Sequence, residues 1–303
     1  MKATRAFIVF CEGKHDVAFC RLVFKHFFKA VMNKSEFFSK YPSPFNSLFK
    51  ANMEKYIARD MSLDMAHKFF LPDWTYVKND WIILLFDKGG KVNDEKLHQF
   101  LYDFLTLFEN AAYFPQDAES IITNVKYLFL YDADHKKPDE IFVQLKDNYS
   151  KIENAGKNDS IQWITEPFIP VKGNPFAARS NNKAVYIWAD PVKQTGTLEE
   201  YLLPLFAVDQ KEWTEKAVHF IDSTFLWEIN RGEEEKSRIA ETARRKKAII
   251  TALGQRSKPG SSMNVILDQA GLISCDTLWN NSSVRNFVEF LSTFTGIELT
   301  LPT

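Results

Sequence analysis

Four short apolar segments constrain the fold of this chain more than any other feature. Each is rich in β-branched or aromatic residues and contains no proline or glycine; they are residues 7–11, 81–86, 127–131 and 184–188. A nearly continuous apolar run of this length is typical of a strand that is covered on both faces, as in a parallel sheet. We therefore predict four buried, parallel strands.

Helical patterns separate these strands along the chain. Apolar residues recur at a spacing of three and four over residues 17–28, 97–108 and 141–149, and Pro138 stands where the first turn of the third helix is expected. Strands that alternate with helices indicate βαβ crossovers. The predicted fold is therefore α/β and Rossmann-like, with a central, mostly parallel sheet.

Three segments fall outside this alternation. Residues 30–80 are predicted to be a helical insertion, and residues 155–183 a long surface loop with one short strand at 161–164. Residues 207–303 show no strong strand signal, and helices are predicted over 212–227, 233–253, 263–270 and 283–294. We therefore expect an α/β domain over residues 1–206 and a helical C-terminal region from 207 to 303.

Charge and cysteine content exclude several classes of protein. The 303 residues carry 38 basic and 39 acidic side chains, so a basic field over the whole molecule is absent. The three cysteines, Cys11, Cys20 and Cys275, form neither a disulfide framework nor a zinc spacing, which favours a reducing compartment. No segment reads as a signal peptide or a membrane span. A cytoplasmic protein is the expectation.

Acidic side chains follow two of the predicted strands at the point where each ends. Glu12 and Asp16 follow the first strand, and Asp132 and Asp134 end the third. Ligands bind at the carboxyl ends of strands in such sheets, and residues two apart on an extended chain point the same way. If these strands are neighbours, four carboxylates converge and require a hard cation such as Mg²⁺. Taken singly, each of these acids is more typical of a helix cap or a solvated loop, and only their joint placement at matching strand ends favours a metal site.

The order of these motifs resembles the TOPRIM fold, which occurs in topoisomerases, bacterial primases, recombination mediators and OLD-family nucleases. The motifs are Glu12-Gly13-x-x-Asp16 at a helix start and a later strand ending in Asp132-x-Asp134. The turn Asp87-Lys88-Gly89-Gly90-Lys91 is similar to one in OLD-type domains. The segment Gly196-Thr197-Leu198-Glu199 resembles a late element of small standalone TOPRIM proteins. The resemblance covers residues 5–28 and 81–206.

The resemblance implies a site for Mg²⁺ or Mn²⁺. Glu12 would be a metal ligand or the general acid/base, and Asp132 and Asp134 would hold the ion. Asp16 would support the site or bind a second ion. Glu199 would be a further carboxylate of the metal site. Lys14, Lys91 or His135 would stabilise charge on the phosphate. For the two lysines the alternative is a solvated surface position, and for His135 a loop histidine paired with an acid.

The expected activity is hydrolysis of phosphodiester bonds in DNA or RNA, in anti-phage defence by analogy. A length of 303 residues leaves little room for the tyrosine-bearing gate of a topoisomerase, and three scattered cysteines do not form the zinc site of a primase or a recombination mediator. An OLD-type nuclease or an inactive relative remains. No phosphate-binding GxxxxGK[ST] loop occurs, so any ABC-type ATPase would be a separate subunit. The alternative is a partner-gated regulatory or interaction subunit. A phosphoryl-accepting receiver fits less well.

Two further features suggest partners. The densest basic segment, Arg244-Arg245-Lys246-Lys247, is either a contact for a nucleic-acid backbone or a solvated helix face balanced by neighbouring glutamates. The insertion is rich in phenylalanine, which indicates packing on the main domain or on a partner, either a second copy in a homodimer or the ATPase. These phenylalanines are Phe37, Phe38, Phe45, Phe49, Phe69 and Phe70.

Overall fold

The centre of the molecule is a mixed sheet. A computed structural model describes residues 3–33, 37–57, 71–90, 94–110, 120–150, 168–227 and 235–301. Its strands are β1 (Arg5–Cys11), β2 (Val31–Met32), β3 (Trp74–Lys78), β4 (Trp81–Asp87), β5 (Asn124–Asp132), β6 (Ile169–Val171), β7 (Asn174–Arg179) and β8 (Lys183–Trp188). They form one eight-stranded sheet in the order β2-β3-β4-β1-β5-β8-β7-β6.

The helices surround this sheet and dominate the C-terminal region. They are α1 (Lys14–Phe27), α2 (Phe45–Ile57), α3 (Asp94–Asn110), α4 (Pro138–Ser150), α5 (Glu199–Asp209), α6 (Lys211–Thr224), α7 (Glu235–Gly254), α8 (Met263–Gln269), α9 (Cys275–Asn280) and α10 (Ser282–Thr295). Among the described residues, none of these helices has the length and apolar character needed to cross a membrane.

The four predicted strands are confirmed as β1, β4, β5 and β8, which lie side by side and run parallel. Ile8 of β1 pairs with Leu84 of β4 on one side and with Tyr127 of β5 on the other. The α/β, Rossmann-like fold class is therefore confirmed. The strand order also brings the ends of β1 and β5 together, which is the arrangement that the acidic clusters require.

The two faces of β1 are covered by different helices. Phe7 lies 6.1 Å from Phe24 of α1 and 6.2 Å from Phe294 of α10, measured between ring centroids. Phe10 points to the opposite face and lies 6.0 Å from Phe100 of α3. Because successive side chains of a strand alternate between faces, helices must cover both. The C-terminal helix α10 therefore shares its hydrophobic core with the sheet.

Antiparallel strands extend the sheet at both edges, where the sequence predicted none. On one edge β3 pairs with β4 and β2 with β3; on the other, β7 pairs with β8 and β6 with β7. The helical-insertion prediction is thus incomplete, since residues 30–80 contain β2 and β3 as well as α2. Edge strands are short and partly exposed, so their apolar signal is weak. The strand predicted over 161–164 lies outside the described residues.

The phenylalanines of the insertion pack in part on the chain itself. Phe45 stacks on Phe104 of α3 with ring centroids 5.1 Å apart, and Phe49 contacts Tyr41. Both phenylalanines are fully buried, whereas Phe37 is exposed. The side chains of Phe38, Phe69 and Phe70 lie outside the described part of the chain. The main domain is therefore the partner of α2.

Candidate metal and phosphate site

Four carboxylates meet at the carboxyl ends of the parallel strands. Glu12 follows β1, Asp16 lies in the first turn of α1, Asp132 ends β5, and Glu199 begins α5 after the β8 strand. Glu12 Oε2 accepts a hydrogen bond of 3.1 Å from the backbone N–H of Asp132, which joins the two acidic motifs directly. The structure thus brings together four of the carboxylates that the sequence analysis singled out.

Asp16 is more deeply buried than Glu12, the other acid near the N-terminus. Its side chain is 5% exposed, and Oδ2 accepts a hydrogen bond of 2.9 Å from the backbone N–H of Gly13. Oδ1 is buried without a hydrogen bond of normal geometry, although the Trp188 side chain is close enough to lower the pKa of this carboxyl. Burial, followed by repulsion from Glu12 and Glu199, raises the pKa of Asp16 to about 8, although the Gly13 hydrogen bond opposes the shift. A charged Asp16 is therefore costly in the absence of a cation.

Asp132 is held in a similar environment at the end of β5. Its Oδ1 accepts a hydrogen bond of 2.9 Å from the backbone N–H of Leu198, just before α5. Burial raises the pKa of the Asp132 carboxyl well above its usual range, and Asp16, Glu12 and Glu199 raise it further. Asp16 and Asp132 are thus each close enough to Glu12 and Glu199 to be affected by their charges.

Glu199 is stabilised by three partners that the sequence analysis did not assign to the site. It is 2% exposed; Thr197 Oγ1 donates a hydrogen bond of 2.6 Å to its Oε2, while His15 Nδ1 and Lys247 Nζ lie 3.5 and 3.6 Å from its Oε1. Although burial opposes it, these partners hold the pKa of Glu199 below its usual value. Glu199 is therefore more readily charged than Asp16 or Asp132.

Asp134 and His135 are placed differently from the prediction that paired Asp134 with Asp132. The β5 strand ends at Asp132, and Asp134 adopts a left-handed conformation with φ +51°. Its backbone exchanges two hydrogen bonds of 2.7 Å with Gly196. The rule that residues two apart share a face applies only to an extended chain, so it does not apply here. Asp134 and the exposed His135 nevertheless line the same cavity as Asp132.

Of the two lysines predicted to stabilise charge on the phosphate, Lys14 lies in the described part of the chain and Lys91 does not. Lys14 is exposed at the start of α1 and borders a groove with Arg21 and Asp73. Burial raises the pKa of the Asp73 carboxyl, and Lys14 partly offsets this shift. Lys91 lies outside the described residues, so its predicted role stays a prediction.

The basic segment of α7 is paired with acids of this chain. Arg245 forms a bidentate ion pair with Asp222 of α6, at 2.6 and 2.5 Å, and Lys246 pairs with Glu200. Lys247 approaches Glu199, as described above. Arg244 contacts Glu241 at 3.2 Å and its side chain is 75% exposed. Three of these four cations therefore attach α7 to α5 and α6, and Arg244 is the most exposed.

The donor set suits a hard cation in chemistry and in electrostatics. Among the described residues, no three His, Cys, Asp or Glu side chains form a ready group that could hold a metal ion. Mg²⁺, however, usually binds through one or two carboxylates, keeps several waters and shares substrate phosphates. The buried Oδ1 of Asp16 and the repulsion on Asp132 fit such an ion, which these two carboxylates would hold.

Comparisons with known proteins gave a family model and a solved structure. No curated protein matches. A solved structure of a hypothetical protein from Pyrococcus horikoshii OT3 aligns with 11% identity and a TM-score of 0.42 over 96% of this chain and 97% of that one. A family model described as a protein of unknown function, DUF3226, matches residues 113–296. This match spans more than half of the sequence, so the chain belongs to the DUF3226 family.

Proposed function

We propose that this protein is a nuclease of the TOPRIM type that hydrolyses phosphodiester bonds in DNA or RNA with Mg²⁺ or Mn²⁺. The observation that carries the proposal is the meeting of Glu12, Asp16, Asp132 and Glu199 at the ends of adjacent parallel strands. The order of these acids along the chain is the one that the TOPRIM resemblance requires. Work in the cytoplasm, in anti-phage defence, is part of the proposal and rests on that resemblance.

Different residues of the chain would bind the phosphate and transfer the proton. When bound, the cation would neutralise phosphate charge and lower the pKa of a water molecule. Glu12 is half-buried, whereas Asp16 and Glu199 are buried, so we assign proton transfer at the water to the Glu12 carboxylate. Lys247 is 42% exposed and lies at the edge of the cluster, where its ammonium can contact a phosphate oxygen.

The decisive experiment measures cleavage by the purified chain and by two isosteric variants. Plasmid, single-stranded DNA and total RNA are each incubated with Mg²⁺, Mn²⁺ or EDTA. Glu12→Gln and Asp132→Asn are expected to lose activity by about 10²- to 10⁴-fold, the usual contribution of a positioned acid/base or charge-stabilising group. Glu215→Gln, an exposed position on α6, is the matched control and keeps full activity. Equal cleavage by wild type and Glu12→Gln would contradict the proposal.

A second candidate function is a subunit that a partner activates. The burial of Asp16 and Glu199 favours it, as do the ion pairs of Lys246 and Lys247 that hold α7 over the start of α5. A separate ABC-type ATPase is the partner class that the TOPRIM resemblance suggests, and a homodimer is the simpler assembly. In this case the isolated chain binds Mn²⁺, detected by electron paramagnetic resonance, without cleaving any substrate. Failure of both cleavage and Mn²⁺ binding would contradict both candidates.

A further inference from the structure

A cavity of about 230 Å³ adjoins the carboxylate cluster and has no role in the hydrolysis described above. It lies between the end of β5, the connection that follows it and one face of α4. Asp132 lines it, so the cavity is adjacent to the cluster. A water molecule in the liquid takes roughly 30 Å³. The space therefore suits a ligand much larger than a single ion and of the order of one nucleotide.

The lining combines positive charge with an apolar wall. Lys88, Lys136 and Lys236 supply the positive side, against Asp132 and Asp134. Tyr131, Ile141 and Leu145 supply the apolar wall. Lysine is a common phosphate-binding residue, and aromatic or aliphatic side chains accept the faces of bases and sugars. Both halves of a nucleotide thus have a matching surface in the same cavity.

Lys88 is the most informative of these residues. Its side chain is 2% exposed, and Nζ lies 4.2 Å from the centroid of the Tyr131 ring. The backbone N–H of Lys88 donates a 3.0 Å hydrogen bond to Cys11 O, and Gly90 N–H donates one of 2.8 Å to Glu12 O. These bonds fix the turn after β4 against the end of β1. Lys88 thereby reaches the lining of the cavity, beside Tyr131 and Asp132.

We infer that this cavity, the nucleotide subsite, binds one nucleotide unit of the substrate next to the phosphodiester that is cut. Lys88 contacts the phosphate, with Lys136 and Lys236 at the rim, and Tyr131, Ile141 and Leu145 contact the base or sugar. This inference rests on the proposed nuclease function and deepens it, because it names a nucleotide end or a flipped nucleotide as the recognised unit.

The test measures binding of free nucleotides by calorimetry with EDTA present, so that neither metal nor cleavage is needed. The probes are adenosine 5′-monophosphate and thymidine 5′-monophosphate, with inorganic phosphate and adenosine alone for comparison. We expect the monophosphates to bind, and Lys88→Met to weaken them by at least about tenfold, the loss expected from one charge-assisted contact. Gln144→Trp, from the exposed rim of α4, is expected to fill the cavity and weaken binding as much.

The controls separate this inference from the proposed function. Val143→Trp adds the same ring on an exposed neighbour that does not line the cavity, and it keeps wild-type affinity. Thermal melting shows whether each variant folds. Nucleotide binding that is lost in Lys88→Met, without any nuclease activity, supports the subsite and contradicts the nuclease. Cleavage with no nucleotide binding, or phosphate binding as tightly as the monophosphates, contradicts the subsite and leaves the nuclease intact.

Discussion

The carboxylate of Asp16 occupies a position where negative charge is strongly disfavoured. One oxygen has a backbone partner, the other is buried without a hydrogen bond of normal geometry, and two further acids act on it. Native proteins rarely leave a buried polar atom without a partner, and an ion is one of the explanations for such an atom. The same side chain that lowers stability in the free protein is therefore the one best prepared to receive a cation.

Replacement of Asp16 by asparagine is expected to stabilise the metal-free protein. Folded Asp16 keeps its proton up to about pH 8, whereas the unfolded residue loses it near 3.8, so the folded state binds more protons between these values. Stability from this group therefore falls as the pH rises through that window. Asp16→Asn removes this loss. Near pH 8, its free energy of unfolding should exceed that of wild type by roughly 1–3 kcal/mol.

Urea denaturation in EDTA, compared near pH 5 and near pH 8, measures this difference. Glu215→Gln is the control, since it changes an exposed carboxylate on α6 and should leave the pH dependence unchanged. An Asp16→Asn variant that is less stable than wild type near pH 8 would contradict the assigned environment of Asp16.

Residue patterns predicted the carboxylates but not their partners. Glu12, Asp16 and Asp132 follow apolar strands closely, so local spacing identifies them, and Glu199 follows from the family resemblance. Thr197 lies two residues before Glu199, but His15 and Lys247 reach Glu199 from distant parts of the chain. No local pattern encodes those two contacts. The sequence identifies Lys88 only as part of a glycine-rich turn. The burial of its side chain depends on how that turn packs against β1, which local sequence does not predict.

At the scale of elements, α7 connects the site to the C-terminal helices. Its cationic middle pairs with α5 and α6, and its end packs on α8. The contact with α8 is close at Gly254: a Cβ atom built there lies 2.4 Å from both Cδ1 and Cγ2 of Ile266. This glycine is needed for close approach of two helices rather than for an unusual backbone angle.

Gly254→Ala is therefore expected to destabilise the protein by roughly 1–3 kcal/mol, the usual cost of overpacking. Alanine is otherwise the better residue in a helix, so a loss of stability would be the signature of the collision. Chemical denaturation measures it. Adding Ile266→Val should recover part of the loss, because it removes the Cδ1 atom. A Gly254→Ala variant that is more stable than wild type would show that α7 and α8 can separate at no cost.

The sequence predicted elements best where both faces are buried. The strands β1, β4, β5 and β8 and the helices α1, α3 and α4 have strong apolar patterns and were identified. The edge strands β2, β3, β6 and β7 were missed because each relies on pairing with a neighbour; β6 even contains Pro170, which only an edge tolerates. Helix α9 was also missed, since its six residues are too few to establish a helical period.

At the scale of the whole molecule, a bound cation should raise thermal stability. A ligand that binds only the folded state stabilises it by about 2.7 kcal/mol at a concentration of 100 times Kd, which is several degrees in Tm for a protein of this size. We expect this rise with Mn²⁺ in wild type and in Glu215→Gln, and little or none in a Glu12→Gln, Asp132→Asn double variant. Equal shifts in all three proteins, measured by scanning calorimetry, would place the cation elsewhere.

The position of β1 in the sheet also has a consequence for how the protein is made. β1 pairs with β4 and β5, so Ile8 acquires its partners only when Leu84 and Tyr127 are available. During translation, the apolar segment over residues 5–11 must leave the ribosome long before either neighbour is synthesised, and such long-range pairing is slow and prone to aggregation. The centre of the sheet, and the acidic site with it, would thus be completed late. The nascent chain would depend most on chaperones during the period in which β1 is still unpaired.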